Sequence, residues 1–166
     1  MHHRSHHTRR SVAALVALAA LVGLLSACGS DAFERCVPEE STTASAAQLA
    51  GTYEGSFKAK DIRLALTATP GQNTGGTLTV ENWPTGSFHR SKLGETFTGS
   101  GTWEVEPGRP PNSRSLLRLH FEQPELLLPG DTLDKLSIGI DTKRTFVYDN
   151  SDPDVCPDFR LKLQQN

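Results

Sequence analysis

From Thr52 onward, apolar and polar side chains alternate with period two rather than with the 3.6-residue period of an amphipathic helix. Tyr53, Gly55 and Phe57 share one face, as do Ile62, Leu64 and Leu66, and then Leu78 and Val80. The longest run is Phe97, Gly99, Gly101, Trp103 and Val105, set against Thr98, Ser100, Thr102 and Glu104. Leu117, Leu119 and Phe121 alternate with Arg118 and His120; Leu136, Ile138 and Ile140 follow, then Phe146 and Tyr148. Phe159, Leu161 and Leu163 close the chain, interleaved with Arg160 and Lys162. This pattern predicts about eight strands, each with one face for a core and one for water, as in an antiparallel sheet.

The links carry turn residues: Pro70-Gly71-Gln72-Asn73, Gly108-Arg109-Pro110-Pro111-Asn112 and Pro129-Gly130-Asp131. No long helical pattern interrupts the strands. The fold class is therefore all-β, an up-and-down β-barrel with a curled β-sandwich as the alternative; closure favours the barrel because it removes exposed strand edges. Gly99 and Gly101, on the inward face beside Trp103, mark a bulge, a bend or room for a neighbouring ring. Ahead of the first strand, Ser45 is placed to cap one helical turn that Gly51 ends.

The first 27 residues differ in kind. Arg4, Arg9 and Arg10, with no acidic residue, precede an apolar run from Val12 to Leu25, the layout of a signal sequence. The run is shorter than the roughly 20 residues a transmembrane helix needs. Leu25-Ser26-Ala27-Cys28 resembles the lipobox of bacterial lipoproteins, in which small residues precede the cysteine that takes a diacylglyceryl group. The resemblance implies lipidation of Cys28 and a membrane anchor on the extracytoplasmic face. Thr8-Arg9-Arg10-Ser11-Val12 resembles the twin-arginine export signal, although adjacent arginines are also ordinary leader charge. His2, His3, His6 and His7 would leave with the leader, so they make no metal site in the mature chain.

With Cys28 assigned to lipid, Cys36 and Cys156 remain, and in an oxidising compartment they are expected to form a disulfide. A redox or metal-binding pair is the alternative, but the two are far apart in sequence and lack a CxxC spacing. The organisation read from the chain is a signal peptide over 1–27, a lipid-anchored spacer rich in Gly, Ser, Thr, Pro and Glu over 28–48, and a barrel domain over 49–166. The chain holds 17 basic and 19 acidic residues, and the leader takes three of the basic ones, so the mature part is mildly acidic. That balance argues against nucleic acid or an anionic membrane face as a partner.

Leu49 to Gly55, Gly76 to Pro84, Phe97 to Val105, and Asp152 to Cys156 followed by Phe159 to Leu163 resemble a group of uncharacterised actinobacterial lipoproteins. The resemblance implies a secreted β-domain and carries no activity. Gly51-Thr52-Tyr53 resembles the Gly-X-Trp opening of lipocalin-like and avidin-like barrels, with Tyr in place of Trp.

Candidate chemistry is sparse. Asn150, Asp152 and Asp154 have the oxygen spacing that opens a calcium loop, but the glycine and the late glutamate of such loops are missing, and a hydrogen-bonded turn explains the same residues. His120 should point outward and His89 lies in a Gly/Ser-rich loop, neither with a recognisable catalytic partner. Glu54, Glu81, Glu95 and Glu104 could supply acid pairs for glycoside hydrolysis, as could the acids of any β-protein. Trp103 reads as core; Trp83, ending a strand, reads either as packing or as a ligand-contacting ring at the barrel mouth. The expectation is a non-enzymatic lipoprotein with no cofactor, anchored to the membrane through Cys28, that binds a small ligand or a cell-envelope component. The alternative is an accessory protein of the envelope that binds other proteins and no small molecule.

Overall fold

Each alternating segment becomes one strand of a closed barrel in the computed structural model, which describes residues 36–110, 113–152 and 155–165. The strands are β1 (Gly51–Phe57), β2 (Arg63–Ala68), β3 (Gly75–Pro84), β4 (Thr96–Glu106), β5 (Leu116–Gln123), β6 (Lys135–Ile140), β7 (Thr145–Tyr148) and β8 (Phe159–Leu163). Every neighbour in sequence is an antiparallel neighbour in space, and β8 returns to pair with β1. The fold is thus an up-and-down barrel, not a sandwich. Helix α1 (Ala46–Leu49) precedes β1, and α2 (Arg90–Leu93) lies between β3 and β4.

Helix α1 starts as its sequence suggests, but Ala50 rather than Gly51 caps its end. Ser45 caps it by accepting the Gln48 N–H, while the Gln48 side chain accepts the Ser45 N–H. Ala46 and Leu49 are fully buried in the barrel core. The Tyr53 hydroxyl donates to the Leu49 carbonyl at 2.8 Å, and burial pushes this phenol above its ordinary pKa.

The core is one continuous cluster in which Tyr53, Leu64, Leu78, Trp83, Trp103, Leu117, Leu119, Leu136, Ile138 and Leu161 are all essentially inaccessible to water. The glycines of β4 do mark a bulge: the β4–β5 register shifts between Ser100 and Gly101, and a Cβ on Gly101 would meet the His120 carbonyl.

Three readings of the sequence are corrected. Phe57 does not share the inward face of Tyr53; it ends β1 at a φ of 57°, is 66 % exposed, and lies under the Arg160 guanidinium at 4.1 Å. Phe146 and Tyr148 face out of the barrel, and Val147 between them enters its core. Phe146 and Tyr148 are nonetheless buried, because Val37 packs on them as a second apolar cluster.

The third correction follows from that cluster. Residues 36–48 are not spacer but part of the folded domain. Strands β5 and β6 pair only from Leu116–Ser137 to Arg118–Lys135, so the far half of β6 lacks a neighbour on that side. Residues 39–41 fill the opening: Ser41 N–H donates to Ile138 O at 2.8 Å, and Ser115 N–H to Ser41 O at 2.7 Å. Unpaired backbone groups in a closed wall are costly, and this N-terminal strap satisfies them. Gly139 admits it, since a Cβ there would stand 2.7 Å from the Pro38 carbonyl oxygen. Cys36, at the start of the strap, is bonded to Cys156 in the β7–β8 loop, with Cα atoms 5.7 Å apart.

Candidate functional site

The two ends of the barrel are unequal. One end carries α1 and the β2–β3, β4–β5 and β6–β7 connections; the other carries the β1–β2 turn, two long loops at 85–95 and 124–134, and the disulfide-bearing β7–β8 loop. We call the second the loop end.

Trp83 sits beneath the loop end, and the structure decides its role. Strict alternation from Leu78 and Val80 would turn Asn82 inward and Trp83 outward. A register shift between Val80 and Trp83 reverses this. Asn82 absorbs it at a φ of 56°, a conformation asparagine tolerates, and its amide donates to Asp61 O at 2.9 Å. Trp83 therefore enters the core with no exposed surface, in edge contact with Phe159 at 5.6 Å and tilted against Phe121 at 6.0 Å. Its indole N–H donates to Leu133 O at 3.0 Å. The ring closes the barrel mouth as packing; it does not stand at a rim to meet a ligand.

The two long loops are latched to each other. His89, only 7 % exposed, donates from Nε2 to Asp131 Oδ2 at 2.9 Å, and Asp131 also accepts the Leu128 N–H at 2.8 Å. An ionised carboxylate has no proton to give, which fixes the histidine as donor. The Leu128 N–H first, and the His89 ring second, hold the Asp131 carboxyl below the usual carboxylate range. Thr132 Oγ1 completes the latch by donating to Pro84 O. This pair escaped the sequence reading because His89 and Asp131 are 42 residues apart. The only local signal was the Pro129-Gly130-Asp131 turn.

Asn150 donates to Glu40 Oε1 at 2.8 Å, and both Glu40 oxygens accept from Arg114, so Asn150 helps clasp the strap. Asp152 is exposed in the same loop, and Asp154 lies outside the described residues, as does Cys28. Among the described residues no three His, Cys, Asp or Glu side chains are grouped to hold a metal ion. Glu54 and Glu81 do border one surface cleft of about 350 Å³, but Arg63 pairs across strands with both and lies between them. His120 points outward, as expected, to Glu104 Oε1 at 3.3 Å, and Glu95 meets Arg90 at 3.2 Å.

Two further clefts open at the loop end. One of about 380 Å³ is bordered by Lys58, Asp149, Val155 and Cys156; one of about 310 Å³ lies between the latched loops, bordered by Thr85, Phe88, Gly130 and Leu133. Fold and site together define a side-chain-filled, eight-stranded up-and-down barrel closed by a disulfide-held strap. Comparison of the chain with family models, curated proteins and solved structures finds no match.

Proposed function

We propose that the chain is a lipid-anchored protein of the extracytoplasmic membrane face, held through Cys28, whose barrel is a rigid platform that recognises an envelope protein through its outer wall. The observation that supports this reading is the filled interior. A barrel that encloses a small molecule needs room among its inward side chains. Here Tyr53, Trp83 and Trp103 occupy that room and are 0 %, 0 % and 2 % exposed. What remains accessible is the wall, where Thr67, Thr77, Thr79 and Thr102 expose hydroxyls beside Glu104 and His120.

A second reading, binding of a small envelope fragment, draws its support from the cleft of about 310 Å³ between the long loops. One experiment separates the two. The mature protein is captured from its own membranes after mild solubilisation and weighed by native mass spectrometry. A stoichiometric protein partner is the expected result. A monomer carrying only a small mass increment would overturn the protein-binding reading in favour of the cleft.

A further inference from the structure

We infer that the loop end of the barrel is a lipid-contacting face, which seats the domain on the outer surface of the bilayer. The inference rests in part on the lipid anchor at Cys28 proposed above. Five large apolar side chains are exposed among the described residues: Phe57 (66 %), Phe88 (82 %), Leu126 (36 %), Leu128 (68 %) and Val155 (55 %). All five lie at the same end of the barrel. Phe57 ends β1, Phe88 is in the 85–95 loop, Leu126 and Leu128 are in the 124–134 loop, and Val155 is in the β7–β8 loop. Single exposed apolar residues need no explanation, but a set gathered on one end marks a contact surface.

The chain leading out of the domain points to the same occupant. Cys36 is bonded to Cys156 at the loop end, so the polypeptide enters the fold beside these side chains. Cys36 lies eight positions after Cys28, and a chain of that length spans at most about 29 Å when fully extended. An anchor on Cys28 thus holds the loop end within about 29 Å of the membrane. Tethering raises the local concentration of a weakly binding surface, so shallow insertion of a few side chains suffices. The latch between His89 and Asp131 holds the two longest loops together and presents Phe88 and Leu128 from a supported base. Charges of both signs flank them, with Lys58, Arg90 and Lys92 near Glu95, Asp131 and Asp158. Contact driven by apolar insertion, rather than by anionic headgroups, should therefore persist in high salt.

The test uses the mature protein purified from its own membrane and placed in phosphatidylethanolamine–phosphatidylglycerol vesicles that contain a lipid with a diazirine in its acyl chain. After photolysis, labelled peptides are mapped by mass spectrometry. Label is expected on peptides that contain Phe88, Leu126 and Leu128, with Phe57 and Val155 as secondary sites, and not on the turns at 70–73 or 141–144. The double substitution Phe88→Ser with Leu128→Ser should reduce loop labelling several-fold at an unchanged melting temperature, since both side chains are exposed. Equal labelling of both ends, or labelling indifferent to the double substitution, overturns the inference. Loop peptides shielded from hydrogen exchange in native membranes, yet taking no lipid label, would show that a protein covers this end and also overturn it. The N-terminal peptide of the same digest reports the anchor independently. A Cys28 without lipid defeats the tether reading, while the labelling pattern with added vesicles still judges the face.

Discussion

Individual side chains in this barrel take their roles from a few backbone decisions, and Trp83 shows this most clearly. Its inward turn depends on the bulge at Glu81–Asn82, and its burial depends on Phe121, Phe159 and the Leu133 carbonyl. Truncation of such a ring leaves a cavity the surrounding strands cannot collapse into. Trp83→Ala is expected to lower stability by about 3–5 kcal/mol, measured by urea unfolding. A variant that kept its stability would show the ring to be peripheral after all. Trp103 was legible as core from alternation alone, because no irregularity separates it from Val105. Trp83 was not, because the residue that reverses its direction is an asparagine whose left-handed conformation depends on a hydrogen bond to Asp61, 21 positions away. Phe57 was misplaced for a related reason. Period-two counting assumes the strand continues, whereas Phe57 lies where it ends.

At the level of elements, all eight strands were legible in the chain, and so was the Ser45 cap of α1. The face of β7 was not. In a four-residue strand with Phe, Val and Tyr in succession, alternation cannot say which side meets the core. Only the strap, by covering Phe146 and Tyr148 with Val37, makes both faces apolar. The latch between the long loops is likewise a contact between distant segments, and it gives a pH-dependent expectation. The folded-state pKa of Asp131 is depressed, so its contribution is present above the unfolded carboxylate value and is lost as pH falls through the folded one. The loops should therefore stay latched at neutral and mildly acidic pH and release only below about pH 4, where free carboxylates titrate. The Leu128 amide resonance, followed by NMR, should move through that acid range. In Asp131→Asn the step should vanish; its persistence would assign the transition to another group.

For the whole molecule, the disulfide and the strap act as one device. The Cys36–Cys156 bridge joins residues separated by 120 positions and anchors the start of the strap that completes the β5–β6 wall. Replacing both cysteines by serine is expected to cost about 2–5 kcal/mol, mainly through greater freedom of the unfolded chain. Equilibrium unfolding measures it. Proteolysis near residues 37–41 should also increase, because only backbone hydrogen bonds, Val37 and the Glu40 clasp would then hold the strap. Unchanged stability would mean that those contacts alone secure it.

The sequence by itself determined the all-β class, the number of strands, their antiparallel succession and the pairing of Cys36 with Cys156. Each of these follows from local periodicity, turn residues or cysteine arithmetic. Tertiary structure alone decided that residues 37–41 pack on the barrel wall, which face of β7 is inward, that Trp83 is buried, and that His89 meets Asp131. It also decided that the exposed apolar side chains gather at one end. These outcomes depend on contacts between segments tens of residues apart. A period-two pattern states that a strand has two faces, but only closure of the barrel assigns each face its neighbours.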